Sequence, residues 1–110
     1  MLSTETGSIY GFPVFQDAVL KIDPAAKAAD MTSLVGLGET QFEKWGSGVL
    51  GLDGLIYGIP AGATSVLIID PLTDAIDTTT LSGLPTDTNK WVGGVVVADG
   101  RIVCVPRSAA

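Results

Sequence analysis

The sequence predicts an all-β fold of short antiparallel strands, and three observations carry that expectation. The apolar segments "SIYGFP", "AVLKID", "GVLGL", "LIYGIP", "SVLIID", "GVVVA" and "RIVCV" are short and bounded by Gly, Pro, Asp or Asn, which is the pattern of strands between turns. No stretch keeps a helical period over about ten residues. The chain also repeats itself: "TGSIYGFP", "DGLIYGIP" and "DGRIVCVP" are three versions of one phrase.

The repeat extends well beyond that phrase. Tyr10 matches Tyr57, Asp23-Pro24 matches Asp70-Pro71, Gly36-Leu37 matches Gly83-Leu84, and Lys44-Trp45 matches Lys90-Trp91. Repeat 1 covers residues 7–53, repeat 2 covers 54–99, and a partial repeat 3 covers 100–110, all within one domain. A period in this range belongs to stacked supersecondary units, none of which can bury its apolar face alone.

Four strands fit each unit. Strand a is "GVVVA", residues 94–98, followed by a turn at Asp99-Gly100. Asp-Gly is a strong hairpin signal, and the two-residue turn it favours needs positive φ at both positions; Asp53-Gly54 repeats it. Strand b is "RIVCV", and strand c, as in "SVLIID", follows a longer loop. Asp23-Pro24 and Asp70-Pro71 then close a second turn, the proline presetting φ at a corner position. Strand d is expected around "DTTTLSG"; the aligned "DPAAKAADMTSL" tolerates a helix, but its Thr-rich counterpart favours a strand. The unit is therefore a four-stranded antiparallel meander. In order the chain reads b, c, d, then a, b, c, d, then a, b, with "MLSTET" a degenerate first a.

The frame "GVVVADGRI", "VLIIDPLTDAI" and "LSGLP" resembles the blades of kelch-type β-propellers across nearly the whole chain. It is also similar to tandem repeats of microalgal proteins. The chain differs from the kelch pattern where Gly58-Ile59-Pro60 and Cys104-Val105-Pro106 replace paired glycines, and in placing its Trp residues before strand a. The resemblance implies β-propeller-like blades, about two per chain plus an extra strand pair. A propeller has four to eight blades, so such a chain does not close a ring alone. Two whole blades per chain would give a six-bladed ring from three copies or an eight-bladed ring from four. The expected states are a homo-oligomer or a subunit of a larger assembly.

Composition narrows the chemistry. Hydrophobic residues make up 46% and charged residues 16% of the 110, and the net charge is −6. This composition suits a packed domain with partner-covered apolar surface. With no basic run, neither nucleic acid nor an anionic membrane surface is an expected partner. No apolar stretch reaches the roughly 18 residues of a spanning helix, and residues 1–8 lack a basic region followed by an apolar run, so no compartment is indicated. The single Cys104 is expected to be a buried, inert thiol.

Histidine is absent, which removes the commonest general base and imidazole metal ligand. One Cys without His makes a zinc site unexpected, and no phosphate-cradling glycine loop is present. Asp70, Asp74 and Asp77 could offer oxygens to calcium, but copy one has Lys27 where copy two has Asp74. Turn capping is the favoured reading of these carboxylates. No catalytic residue, metal or cofactor is assigned, and an enzyme is not expected.

The remaining candidates are set by the repeat: Tyr10, Tyr57, Trp45 and Trp91, with Lys44 and Lys90 beside the tryptophans and Asn89 in the preceding loop. Packing between blades explains them; contact with a ligand or partner is the competing reading. Two functions follow. The first is a non-enzymatic structural and protein-interaction module, completed by self-association or within a larger assembly. The alternative is a lectin-like carbohydrate-binding propeller with one shallow site per repeat.

Overall fold

A computed structural model of the chain describes residues 7–12, 17–37, 44–85 and 90–107. Among them are nine strands in chain order: β1 (Ile9–Gly11), β2 (Leu20–Asp23), β3 (Ala28–Asp30), β4 (Trp45–Leu50), β5 (Ile56–Pro60), β6 (Leu67–Asp70), β7 (Ala75–Asp77), β8 (Trp91–Val96) and β9 (Ile102–Pro106). They form three separate antiparallel sheets, ordered β1-β2-β3, β4-β5-β6-β7 and β8-β9. The fold is all-β and the sheets are open. The middle sheet is the complete a-b-c-d meander; the first carries b, c and d, and the third carries a and b. The segment "MLSTET", expected as a degenerate first strand, lies outside the described residues.

The second and third sheets each cross a repeat boundary, because the Asp-Gly landmark sits inside the a–b hairpin. Thus β4 ends sequence repeat 1 but pairs with β5 of repeat 2, in a register from Trp45↔Pro60 to Leu50↔Ile56. The third sheet reproduces this from Trp91↔Pro106 to Val96↔Ile102, with the same register shift after the tryptophan.

Two local expectations are corrected. The a–b turn has positive φ at its glycine alone, 83° at Gly54 and 91° at Gly100. It is a three-residue loop: Gly54 N–H donates to Gly51 C=O at 3.1 Å, and Gly51 N–H to Leu55 C=O at 2.9 Å. Asp53 stays at negative φ and accepts the Leu55 N–H at 3.0 Å, so its carboxylate fixes a turn-plus-bulge in place of the tighter loop. Strand d lies earlier than "DTTTLSG", at Ala75–Asp77. The Asp77 carboxylate accepts the backbone N–H groups of Thr79 and Thr80, as Asp30 does those of Thr32 and Ser33. Those bonds satisfy the backbone locally and end pairing after three residues.

The Asp-Pro turn behaves as its residues dictate. Asp70 Oδ1 accepts the Leu72 N–H at 3.0 Å, and Asp74 N–H closes on Asp70 C=O at 2.8 Å. Asp74 and its counterpart Lys27 complete the two turns in left-handed backbone, with φ of 57° and 55°. Beyond strand d the chain folds back over the b–c loop. Val19 N–H donates to Leu34 C=O in one copy and Val66 N–H to Leu81 C=O in the next, both at 2.9 Å.

Register fixes which face each residue occupies. Ile9 pairs with Ile22 and Gly11 with Leu20, so these four share one face of the first sheet while Tyr10 and Lys21 share the other. The core lies between the first two sheets, where Tyr10, Val19 and Leu34 meet Trp45, Ile56, Leu67 and Ile69, with Phe12 and Ile76 alongside. Gly48 and Gly58 leave the space that the Phe12 ring occupies. The third sheet packs through β8 on β4 and β5.

Candidate functional site

The sheets stack with one polarity. The face of the first sheet bearing Tyr10 and Phe12 meets the face of the second bearing Ile56, Gly58, Leu67 and Ile69. The opposite face of the second sheet, with Tyr57 and Ile59, looks onto Ile102 and Cys104 of the third. In repeat terms, a front face meets the next sheet's back face twice. Lys21 and Asp74 tie the first junction: Lys21 Nζ donates to Asp74 Oδ2 at 2.8 Å and Oδ1 at 2.9 Å. Ser47 Oγ donates to Val92 C=O at 3.3 Å across the second.

The sequence candidates divide by depth. Tyr10, Lys44, Trp45 and Lys90 are buried. Trp45 donates its indole N–H to Ser65 C=O at 2.9 Å, which anchors the start of β4 to the b–c loop. Lys44 C=O accepts from Ala61 N–H at 2.9 Å, and Lys90 C=O from Arg107 N–H at 2.8 Å, so both lysines mark the same corner of two sheets. Among the described residues no buried side-chain nitrogen or oxygen lacks a hydrogen-bond partner, as burial of two ammonium groups requires. Trp91 and Tyr57 are half-buried. Asn89 lies outside the described residues.

Two hollows flank these residues. One of about 270 Å³ is lined by Lys44 and Trp45 together with Gly36, Thr64, Ser65 and Thr78. The indole N–H of Trp45 is already committed there and its ring is buried, which leaves little aromatic face for stacking. The other, about 290 Å³, lies between the second and third sheets and is lined mainly by apolar groups of Tyr57, Ile59, Val66, Leu81, Ile102 and Cys104. Ile59, the repeat counterpart of Phe12, is among its lining residues.

The titratable groups are engaged in holding turns. The Tyr57 hydroxyl donates to Asp53 Oδ2 at 2.7 Å; that bond, aided by burial, pushes its pKa up to about 12. The Thr80 hydroxyl and the Thr79 and Thr80 N–H groups bring Asp77 down to about 2. The Ser33 hydroxyl, with Thr32, holds Asp30 well below the usual carboxylate range. Burial raises the Cys104 thiol. Asp70, Asp74 and Asp77 diverge onto a turn, a lysine and a strand end. Among the described residues no three such side chains converge to hold a metal.

What sequence reading missed is the pair of end faces. At several repeat positions exposure follows coverage by a neighbouring sheet. Ile56 and Leu67 are 0% exposed, and their counterparts Ile9 and Leu20 on the uncovered first sheet are 37% and 36% exposed. Ile59 is 2% exposed, and its counterpart Val105 on the third sheet is 53% exposed. Tyr10 is fully covered, whereas Val103 at its position is 54% exposed, beside Val95 across the hairpin. The repeat alignment held this signal, because it sets covered and uncovered residues side by side at one repeat position.

Among the described residues no helix is long and apolar enough to cross a membrane. Compared with known proteins, the chain matches no family, no curated sequence and no solved structure.

Proposed function

We propose that the protein is a non-enzymatic structural and interaction module of propeller-like blades, whose working surfaces are the two apolar end faces of its sheet stack. The observation that carries this reading is the exposure of Ile9, Leu20, Val95, Val103 and Val105 at positions that are covered wherever a neighbouring sheet is present. Apolar faces of this kind, on sheets of two and three strands, are stabilised by contact with another sheet. Open strand edges beside them reinforce the need for a partner. The absence of histidine from the sequence and the commitment of the carboxylates to turns favour a mechanical role.

The test is the solution mass by light scattering over a range of concentrations, combined with binding of a dye specific for exposed apolar surface. An oligomer, or a monomer that binds the dye, agrees with the proposal. A monomer that remains soluble and leaves the dye unbound contradicts it.

A further inference from the structure

Resting on that reading, we infer that the occupant of each end face is a second copy of this chain, docked head to tail, with the β8–β9 front face of one copy on the β1–β3 back face of the next. The evidence is that the chain already makes this contact twice. At its first junction the front-face residues Tyr10 and Phe12 cover the back-face residues Ile56, Gly58, Leu67 and Ile69. At its second, Tyr57 and Ile59 face Ile102 and Cys104. The terminal faces hold the same repeat positions in the same registers: Val103 and Val105 in front, Ile9, Gly11, Leu20 and Ile22 behind.

Shape agrees with polarity. Phe12 enters the first junction over Gly58, and a Cβ built on Gly58 would come within 2.8 Å of the ring. On the back face Gly11 holds the position of Gly58, and a Cβ there would meet only Leu20 of its own sheet. The residue at the Phe12 position in front is Val105. Front against back therefore sets the smaller Val105 side chain over the Gly11 gap, at the position where Phe12 meets Gly58. Front against front would oppose Val105 to Val105, and back against back Gly11 to Gly11. The contact is heterologous, so it propagates or closes into a ring instead of forming a two-fold pair of identical faces.

The polarity has a direct readout in two half-blocked variants. Val103→Arg blocks the front face and Leu20→Arg the back face, each at an exposed position, and circular dichroism establishes that both remain folded. The expected result is a wild-type oligomer, a monomer for each variant alone, and a species of two chains, one of each variant, when they are mixed at equal concentration. Self-association of either variant alone would show that identical faces pair, and would overturn the inference. So would a mixture of folded variants that stays monomeric. A wild-type monomer that binds the apolar-surface dye overturns this inference while leaving the interaction-module reading in place; a wild-type monomer that does not bind it overturns both. If an arginine variant unfolds, Val105→Lys and Ile9→Lys make the same comparison on the same faces.

Discussion

Lys21 on β2 and Asp74 on the β6–β7 turn are 53 positions apart in sequence, and the ammonium lies 2.8 and 2.9 Å from the two carboxylate oxygens. The pair joins two sheets that otherwise meet mainly through apolar side chains, with the Tyr10 hydroxyl also donating to Asp74 Oδ1 at 3.5 Å. Both groups are partly solvated, 23% and 34% exposed, so the coupling is expected near the upper end of surface pairs, about 1 kcal/mol. Lys21→Met and Asp74→Asn, with the double variant, form the cycle that measures it. Asparagine is the substitution to use, because position 74 has a φ of 57° and asparagine tolerates left-handed backbone. The hydrogen bond to Asp74 raises the Lys21 pKa. The stabilisation is therefore complete below lysine's ordinary value of about 10.4 and is lost as pH rises through the raised one. Unfolding in urea at fixed chain concentration should give a coupling that shrinks in high salt.

The Tyr57–Asp53 bond sets a second alkaline transition. Tyr57 is raised to about 12 from an ordinary value of about 10, so the unfolded chain loses that proton first. Its stabilisation is present below about pH 10 and falls away as pH rises through about 12. A spectroscopic titration of phenolate absorbance should therefore show a late step that Tyr57→Phe abolishes and Asp53→Asn moves to lower pH. A Tyr57 step at the ordinary tyrosine value would break the link between the turn carboxylate and the hydroxyl.

Much of this fold was legible in the sequence because the repeat supplies its own control. Two copies of each landmark fix strand order, and the Asp-Pro and Asp-Gly pairs place the turns. The errors were local and physical. The Asp-Gly pair predicts positive φ at Asp53, whereas its carboxylate holds the Leu55 N–H and the Tyr57 hydroxyl. The Thr-rich run predicts a later strand d than Ala75–Asp77, because composition does not show that Asp77 captures the next two amides before a ladder can continue. The candidate surface was less legible: composition hinted at apolar surplus, but only stacking tells Leu20 from Leu67, two leucines at one repeat position with opposite exposure.

Packing at the first junction predicts an asymmetry among glycines. A Cβ on Gly48 would enter the Phe12 ring, whereas one on Gly93 of β8 would find only Ser47 Oγ, at 4.0 Å. Gly48→Ala is expected to destabilise by about 1–3 kcal/mol, the usual cost of overpacking a core. Gly93→Ala should be neutral or gain up to about 1 kcal/mol from a less flexible unfolded chain. Combining Gly48→Ala with Phe12→Leu should recover part of the loss, since the smaller side chain vacates the space. Equal effects of the two alanines on the urea midpoint would show that Phe12 does not pack over β4.

The Cys104 thiol offers a reporter of how firmly the third sheet is held. It lies on the face of β9 that looks into the hollow lined by Tyr57 and Ile59, and burial raises its pKa. Only the thiolate reacts, so alkylation should be slower than for a free thiol at neutral pH and should accelerate at a higher pH than usual. Ile59→Ala enlarges the hollow and weakens the seat of the sheet, and should speed alkylation severalfold. Leu72→Ala changes an exposed residue of the β6–β7 turn and should leave the rate unchanged. A third sheet seated as described requires those two variants to differ. Equal rates, both matching a free thiol, would place β8–β9 away from the middle sheet and remove the second of the two internal junctions on which front-to-back stacking rests.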